Sequence, residues 1–452
     1  MIAAHPRART AALAAGALLA AALASATGTA AATTGAAARR SPARAVPLSA
    51  GHVLRSHHTS SPPTTQNCLD AIGIRCYGAT QIDEAYNLAP LWAKGLDGTG
   101  RTIVVVDSFG SPTIAADLHE FDTTYGLPDP PSLQVIQPAG AVPAFDPNDA
   151  DMWNWAFETT LDVEYAHTIA PGAKILLVET PVAETEGVTG FPEIVKAENY
   201  VINHHLGDVI TQSFGATEET FPSAASIYAL RSAYYNARNH GVTVLGSSGD
   251  SGVTDYQADG TTLYPYAVNS WPSSDPLVTS IGGTQLKLDA AGNRLAPDVV
   301  WNDGFGAGGG GVSSVFSRPD FQDRVRSVVG PHRGTPDISM SAAVDGGVVV
   351  YLTFDPANSG WYIVGGTSEA APLFSGIVAI ADQAAHHKLG WINPALYSRS
   401  VSRSAGVVDV TSGDISFNGV TGPAAGRGYD LASGWGTVDA PAFVRALVRA
   451  SD

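Results

Sequence analysis

Four side chains suited to acyl transfer stand in three short motifs of this sequence. Ser368 lies in the segment GTSEAAP (residues 366–372), which opens a long apolar run. Glu158 and Asp162 are four residues apart in a predicted helix and therefore share one helix face. Asp250 follows a predicted strand in the turn SSGDSG. A hydroxyl, two neighbouring carboxyls and a third carboxyl could supply a nucleophile, its base and an acid.

The position of Ser368 suits a nucleophile. Unpaired N–H groups and the positive end of the helix dipole would stabilise an oxyanion there, although a simple Thr/Ser helix cap explains the spacing equally well. A competing motif, GDSG at residues 249–252, also surrounds the nucleophile of chymotrypsin-like peptidases. Those enzymes are all-β proteins with a base His in an Ala-His-Cys context. This chain alternates strands and helices and lacks that context, so Ser251 is disfavoured as nucleophile.

The identity of the base distinguishes two related families. G-T-S-x-A-x-P resembles the nucleophile motif shared by subtilisins and sedolisins. A subtilisin-like enzyme needs a His base in a His-Gly-Thr-His context, oriented by an Asp at the end of the first strand. Asp107 occupies the place of that Asp, but His-Gly-Thr-His does not occur in the sequence. Glu158-x-x-x-Asp162, followed by Ala-Pro-Gly-Ala at residues 170–173, resembles the sedolisin family of serine-carboxyl peptidases instead.

The resemblance to sedolisins implies a role for each motif. It implies Ser368 as nucleophile, Glu158 as general base, Asp162 as the hydrogen-bond partner of Glu158, and Asp250 as the acid of the oxyanion hole. Asp250 can donate a hydrogen bond to an oxyanion only when it is neutral, so we expect activity at acidic pH. The substrates would be polypeptides. The substrate-binding positions implied by the resemblance are Ser213, Gly215, Gly309, Gly310 and Gly311.

Two C-terminal segments resemble the calcium loops of sedolisins. They contain Asp409-Val410-Thr411 and the sequence GRGYD at residues 426–430. Without the resemblance, Asp409 and Asp430 would be read as ordinary turn residues. The resemblance implies one structural calcium ion, because hard oxygen donors suit Ca²⁺. The implied ligands are the carboxylates of Asp409 and Asp430 and the main-chain carbonyls of Val410, Gly426 and Gly428.

The elements that must position these residues alternate between strand and helix. Apolar runs predict buried strands at residues 102–107, 174–179, 208–212 and 242–247. Helices are predicted at 157–168, 191–204 and 223–240. A hairpin-like pair, 347–354 and 360–364, is predicted before a long apolar helix at 368–387. This order favours an α/β fold with a doubly wound, mainly parallel sheet, helices on both faces and a subtilisin-like architecture, with the site at the carboxyl ends of the strands.

Composition limits the function and the location of the protein. Of 452 residues, 25 are Lys or Arg and 42 are Asp or Glu, so the net charge is 25 − 42 = −17, which disfavours nucleic-acid binding. The first 26 residues have the pattern of a signal peptide, predicting a secreted protein without a membrane span after cleavage. Residues 27–79 are expected to be largely unstructured, with a local disulfide between Cys68 and Cys76. Residues 80–452 would form the peptidase domain, which is expected to be monomeric.

The sequence leaves two alternative functions open, and it differs in two ways from the usual sedolisin pattern. The protein could be an inactive, calcium-stabilised secreted binding protein on a peptidase scaffold. It could also be a subtilisin-like peptidase that uses Asp107 and a His base such as His167. Glu369 places a carboxyl directly after the nucleophile, where sedolisins commonly have Ala. The residues that separate the predicted signal from the peptidase domain are also too few for the long folded pro-domain usual in the family.

Overall fold

The computed structural model describes residues 52–53 and 59–451. The strands in chain order are β1 His52–Val53, β2 Cys76–Tyr77, β3 Thr102–Ser108, β4 Leu133–Ile136, β5 Lys174–Thr180, β6 Val209–Gln212, β7 Ala216–Thr217, β8 Thr243–Ser247, β9 Ser270–Trp271, β10 Thr279–Gln285, β11 Val299–Val300, β12 Gly311–Ser317, β13 His332–Thr335, β14 Ile338–Ser341, β15 Gly347–Leu352, β16 Gly360–Gly365, β17 Val407–Val408 and β18 Thr437–Val438.

The α-helices are α1 Thr65–Ile72, α2 Ala79–Ala85, α3 Ala89–Trp92, α4 Ile114–Tyr125, α5 Ala150–Ile169, α6 Phe191–Asn203, α7 Ala224–Leu230, α8 Ser232–Asn239, α9 Arg326–Val329, α10 Thr367–Ala385, α11 Asn393–Leu396, α12 Arg399–Ser402 and α13 Ala440–Ser451. Two short 3₁₀-helices lie at Glu218–Thr220 and Asp320–Val325.

The predicted signal peptide lies outside the described residues. Among the residues that are described, every helix is too short or too polar to cross a lipid bilayer.

An eight-stranded sheet forms the centre of the fold. Its strand order is β11-β10-β8-β6-β3-β5-β4, and β14 pairs with the other edge of β10. Every pairing is parallel except that of β11 with β10. The inner strands are buried on both faces, as continuous runs such as TIVVVDS in β3 require. The predicted α/β class with a mainly parallel sheet is therefore confirmed.

Helices α5 and α10 pack against each other beside this sheet. Nearly every side chain of both helices is buried, polar ones included. Gly376 of α10 permits the close approach, because a Cβ atom there would lie 2.5 Å from Cβ of Ile169 in α5. The pairing of these two helices brings Glu158 and Asp162 to the same part of the molecule as Ser368.

A second sheet of four strands covers the other side of this helix pair. Its order is β1-β16-β15-β2, and β15 and β16 form the antiparallel hairpin that the sequence predicts. The Tyr165 hydroxyl of α5 donates a hydrogen bond of 2.9 Å to the carbonyl of Val349 in β15. Strand β16 ends at Gly365 and α10 begins at Thr367, so the hairpin delivers the chain directly to Ser368.

Three differences from the predicted elements have physical causes. Helix α5 begins at Ala150, because the Asp149 side chain accepts hydrogen bonds from the main-chain N–H groups of residues 151 and 152. The predicted helix 223–240 is interrupted at Arg231. The predicted unstructured segment is wrong for residues 65–77, where α1 and β2 are joined by the disulfide Cys68–Cys76.

Candidate active site

The candidate catalytic residues meet at the carboxyl edge of the central sheet. Asp107 lies at the end of β3, Ser213 directly follows β6, and Asp250 lies in the turn after β8. The parallel order β8-β6-β3 places these three strand ends next to one another. The carboxyl edge of a parallel sheet is where α/β enzymes bind their ligands. The N-terminus of α10 reaches the same edge with Ser368.

Asp250 is held against the first turn of α10. Its Oδ1 accepts hydrogen bonds from the Thr367 main-chain N–H at 2.7 Å and from the Thr367 hydroxyl at 2.9 Å. The main-chain N–H of Gly249 in turn donates to the Thr367 hydroxyl at 3.0 Å. The side chains of Asp250 and Ser368 are 5% and 2% exposed. A buried carboxyl is thus fixed one residue from the candidate nucleophile.

Ser213 connects the carboxyls of α5 with the start of α10. Its hydroxyl lies 2.9 Å from Oδ1 of Asp162 and 3.3 Å from the main-chain carbonyl oxygen of Ser368. A serine hydroxyl carries one proton and can donate it to only one of these two acceptors. When Asp162 is protonated, it can donate to Ser213 while Ser213 donates to the Ser368 carbonyl. Ser213, for which the resemblance implies substrate contact, therefore has its hydroxyl engaged within the site.

Burial favours the neutral form of Asp162 in α5. The pKa of Asp162 is raised well above its usual value, first by burial and then by the neighbouring carboxyls of Asp107 and Glu158. Glu158 is fully buried as well and lies one helical turn before Asp162. Two carboxyls in this position titrate as a pair, because the second ionisation meets the charge of the first.

Asp107 is the third carboxyl of this group. Burial raises the pKa of Asp107 to about 7; the Thr159 hydroxyl opposes this rise and Glu179 adds to it. Asp107 occupies the position from which an Asp would orient a His base in a subtilisin-like enzyme. The charged groups that interact with Asp107 in the described part of the chain are carboxyls, Asp162 and Glu179.

His167 lies on a different side of α5 from Glu158. The two residues are nine positions apart, or two and a half turns, which places them on opposite helix faces. Nε2 of His167 is 2.8 Å from the main-chain carbonyl of Pro128 and 3.4 Å from Oδ2 of Asp122. These partners belong to α4 and the loop after it. The structure therefore does not bring His167 to Ser368, which removes this residue from the subtilisin-like alternative.

Glu369 is a fully buried carboxyl next to Ser368. Burial raises the pKa of Glu369 well above its usual value; the Ser341 hydroxyl opposes this rise and Asp250 adds to it. Glu369 consequently stays neutral in acid and adds no negative charge beside the nucleophile under those conditions.

The glycine-rich segment packs against the turn that carries Asp250. The Gly309 main-chain N–H donates to the Gly249 carbonyl at 2.7 Å, and the Ser248 hydroxyl donates to the Gly309 carbonyl at 2.8 Å. A Cβ atom at Gly309 or Gly310 would overlap a neighbouring main-chain carbonyl. Gly311 begins β12 and pairs with Thr335. These glycines allow two backbone segments to lie in direct contact beside the site.

Gly215 likewise allows two backbone segments to pack closely, here after β6. A Cβ atom there would lie 3.1 Å from the Trp271 carbonyl oxygen, because the chain after β6 runs close to the chain at β9. The five positions for which the resemblance implies substrate contact thus divide into one buried serine and four glycines of close backbone packing.

A cleft of ≈ 430 Å³ opens at the same edge of the sheet. Phe109 after β3, residues 181–186 after β5 and the start of α5 at Asp149–Met152 line it. Glu186 is its most perturbed acid: burial, followed by the charge of Asp255, raises the pKa of Glu186 to about 9. The sequence motifs do not identify this cleft, although its loops follow two predicted strands, which is the available signal.

The proposed calcium ligands lie in two hydrogen-bonded loop segments. Oδ2 of Asp409 accepts a hydrogen bond from the Gly428 N–H at 2.9 Å, and Oδ2 of Asp430 accepts one from the Gly426 N–H at 2.8 Å. The Ser433 hydroxyl joins Oδ1 of Asp430 to the Val410 carbonyl. All five residues thus belong to one loop cluster, which contains oxygen donors of the kind that Ca²⁺ binds.

Side chains alone would not identify this cation site. Within residues 52–53 and 59–451, no group of three or more His, Cys, Asp or Glu side chains is arranged to hold a metal ion. The loop cluster offers only two carboxylates, so main-chain carbonyls would have to complete the coordination. Gly428, with a φ of +79°, gives the loop the turn that such carbonyls need.

Comparisons with known proteins identify the family and the fold. The sequence profile of the subtilase family matches residues 139–436. Kumamolisin from Bacillus sp. (strain MN-32) is 31% identical over 385 residues, which cover 82% of this chain and 64% of kumamolisin. Sedolisin from Pseudomonas sp. (strain 101) is 31% identical over 350 residues, covering 75% of this chain and 56% of sedolisin. The chain thus spans between about half and two thirds of the length of these curated relatives.

A solved structure shows the same fold. Pseudomonas sedolisin, a serine-carboxyl proteinase complexed with two molecules of pseudo-iodotyrostatin, is similar with a TM-score of 0.69 and 29% identity. The match covers 82% of this chain and 98% of that chain.

Proposed function

The chain belongs to the subtilase family and, within it, to the sedolisins, and from this premise we propose that it is a secreted serine-carboxyl peptidase that hydrolyses peptide bonds at acidic pH. One observation carries the proposal. Asp250 is hydrogen-bonded to Thr367, immediately before Ser368, while Ser213 connects Asp162 with the Ser368 carbonyl. A serine and two separate groups of buried carboxyls therefore meet at one sheet edge.

Ser368 would attack the peptide carbonyl and pass its proton to Glu158. Asp162 would hold Glu158 and share a proton with it, so that the pair carries one negative charge in the active form. When the tetrahedral intermediate collapses, the same proton would go to the leaving amine. A carboxylate thus replaces the imidazole of the familiar serine-peptidase triad.

Asp250 would donate a hydrogen bond to the oxyanion of the intermediate. Only the neutral acid has a proton to donate, and the ionised form would repel the oxyanion. The activity therefore requires a pH low enough to keep Asp250 protonated and high enough to ionise the Glu158–Asp162 pair once. This requirement gives a bell-shaped profile on the acidic side of neutrality.

Ser213 is better described as a positioning residue than as a substrate contact. Its hydroxyl is engaged by Asp162 and the Ser368 carbonyl, and its side chain is fully buried. Substrate binding is better assigned to the cleft at Phe109, Glu186 and the start of α5, together with the backbone of the glycine-rich segment at residues 309–311.

One calcium ion would be bound by Asp409, Asp430 and the carbonyls of Val410, Gly426 and Gly428. Its contribution would be structural, because it would tie together two loops that the packed core leaves at the surface. The predicted signal peptide, although outside the described residues, supports secretion. The substrates would be polypeptides, and the protein would act as a monomer.

Digestion of an acid-denatured protein by the secreted enzyme tests the proposal. We expect turnover below neutral pH and its loss in Ser368→Ala, Glu158→Gln and Asp250→Asn, with each change lowering kcat by at least about 100-fold. Ser251→Ala is the matched control, since it removes the hydroxyl of the competing GDSG motif, and it should keep activity. Full activity of Ser368→Ala, or loss only in Ser251→Ala, would overturn the assignment.

A further inference from the structure

A second cleft, of ≈ 650 Å³, is lined by none of the candidate catalytic residues. One wall is formed by the 3₁₀-helix Asp320–Val325 and α9, and the other by α12. Four of its eight lining residues are arginines, and the others include two serines, Asp323 and Trp435. We call it the arginine cleft; its arginines are Arg324, Arg326, Arg399 and Arg403.

None of these four guanidinium groups forms an ion pair within residues 59–451, in contrast to several arginines elsewhere in the molecule. Arg75, Arg231, Arg294 and Arg333 each form an ion pair with an Asp. Within residues 59–451, no carboxylate pairs with an arginine of the arginine cleft, and Asp323, the one acid of its lining, is taken by Arg318 at 3.0 Å. Four unpaired cations at one place are unexpected in a chain with 42 acidic and 25 basic residues.

The side chains that line the arginine cleft are mainly hydrogen-bond donors. Guanidinium groups can only donate, and the hydroxyls of Ser327 and Ser402 can donate as well. The cleft is therefore rich in donors and poor in acceptors. A ligand that satisfies it must carry several acceptor oxygens and negative charge.

A buried polar network fixes the two walls relative to each other. Nε2 of Gln322, on the 3₁₀-helix, donates to the Tyr397 hydroxyl at 2.8 Å and to the Gly334 carbonyl at 2.7 Å. Tyr397, which lies two residues before α12, donates a hydrogen bond to Asp337 at 2.7 Å. Asp337 is paired with the fully buried Arg333. The cleft is thus preformed, so binding need not order its walls.

We propose that the arginine cleft binds a compact tetrahedral oxyanion, a phosphate or sulfate group that is free or esterified to a small molecule or sugar. Guanidinium forks match the geometry of such groups and bind them through paired hydrogen bonds. The volume exceeds that of a single phosphate and leaves room for the rest of an ester. This site is separate from the proposed peptidase activity and does not depend on it.

The charge of the whole molecule narrows the class of ligand. A net charge of −17 at neutral pH repels an extended polyanion, whereas a compact anion meets mainly the local positive charge within about 8–10 Å. In acid, a carboxylate ligand would lose most of its charge, because ordinary carboxyl groups titrate near pH 4. Phosphate and sulfate esters keep at least one charge there, and arginine stays protonated throughout.

Isothermal titration of the full chain with tripolyphosphate, inorganic phosphate and a sugar phosphate tests the proposal at acidic and neutral pH. We expect saturable one-site binding at both pH values. Arg324→Gln/Arg403→Gln should weaken it by at least about tenfold. The matched control is Arg445→Gln/Arg449→Gln, which removes the same charge from exposed positions of α13 and should change binding less than about twofold.

The probes also distinguish the sources of the anion. Binding of the sugar phosphate that is tighter than that of inorganic phosphate would identify an esterified ligand, and the reverse order would identify the free ion. Ser368→Ala should bind as the wild type does, so failure of the peptidase proposal would leave this result intact. Absence of saturable binding, or equal weakening in the α13 control, would overturn the proposal.

Discussion

At the scale of single residues, Ser213 is the contact point of the candidate site. One hydroxyl lies between Asp162 of α5 and the carbonyl of Ser368 in α10. Its hydrogen bond to Asp162 favours the ionised form of that carboxyl and so opposes part of the rise in the pKa of Asp162 that burial causes. The protonation of the acid pair and the placement of the nucleophile are thereby linked through one side chain.

Ser213→Ala should lower kcat by about 10–100-fold and leave KM within about twofold, because this hydroxyl is engaged by Asp162 and the Ser368 carbonyl. Loss of the hydrogen bond raises the apparent pKa of the Glu158–Asp162 pair, so the acid limb of the kcat/KM profile should move to higher pH. Steady-state kinetics across pH measure both effects. Ser213→Thr, which keeps the hydroxyl, should restore the profile; an unshifted acid limb in Ser213→Ala would show that Ser213 has only a packing role.

Glu369 provides a second test at this scale. Burial, with a contribution from Asp250, holds the pKa of Glu369 well above its usual value, so its side chain is neutral in acid. Glu369→Gln, which imitates the neutral form, should therefore keep kcat within about threefold below pH 5. Steady-state kinetics of Glu369→Gln, with the exposed Glu120→Gln as control, measure the change in kcat. A loss as large as that of Asp250→Asn would show that the Glu369 proton takes part in the reaction.

The resemblance of the motifs to those of sedolisins singles out the groups proposed to react but not all of those that position them. Ser368, Glu158, Asp162 and Asp250 stand in motifs that carry this resemblance, so they could be named from the sequence. Ser213 also stands in a motif, but the direction of its side chain depends on how β6 ends beside α10. That direction is a result of packing between distant segments and has no local signature.

At the scale of elements, the buried strands and the long helix α10 were predictable because their apolar runs are long and continuous, whereas the packing of α5 against α10 was not predicted. The residues at which these elements begin and end were harder to predict from the sequence. Helix α5 begins at Ala150 because a single side chain, Asp149, caps it, and the polar residues that follow are buried by tertiary contacts. Strand β14 is only four residues long, and β12 and β14 are both serine-rich, so their pairing partners define them more than their sequence does.

The C-terminal loop cluster is the element whose stability should depend on a ligand. If Asp409 and Asp430 bind calcium, saturating the site with Ca²⁺ at about 100 times the Kd should contribute about 2.7 kcal/mol, and a chelator should lower the Tm by several degrees. Asp409→Asn and Asp430→Asn should remove this dependence. Thermal unfolding with and without Ca²⁺ measures it.

Asp414 offers the control for the calcium experiment. It lies in the same loop region, and its Oδ1 accepts a hydrogen bond from the Ser416 N–H at 2.8 Å, but it is outside the proposed ligand set. Asp414→Asn should therefore retain the response to Ca²⁺. An equal Tm with calcium and with chelator in the unaltered protein would contradict a structural calcium ion.

At the scale of the whole molecule, the number of buried acids is the dominant electrostatic feature. Burial is the main cause in every case where the pKa of a carboxyl is raised to about 7, 8 or 9. The acids with such values are Asp107, Asp255 and Asp382 at about 7, Glu198 at about 8 and Glu186 at about 9. In the unfolded chain, the same groups would titrate near pH 4.

The folded protein should accordingly be most stable in acid. Between about pH 4 and the raised pKa values of about 7–9, the folded state binds more protons than the unfolded state, so the free energy of unfolding falls as the pH rises. We expect the Tm to drop by on the order of 10 °C or more from pH 4 to pH 8. Calorimetry at constant ionic strength measures this, and Glu198→Gln should flatten the slope, whereas exposed Glu120→Gln should not. A Tm that rises toward neutral pH would mean that these carboxyls are ionised and solvated in the folded protein, and it would remove the physical basis for a site built from neutral acids.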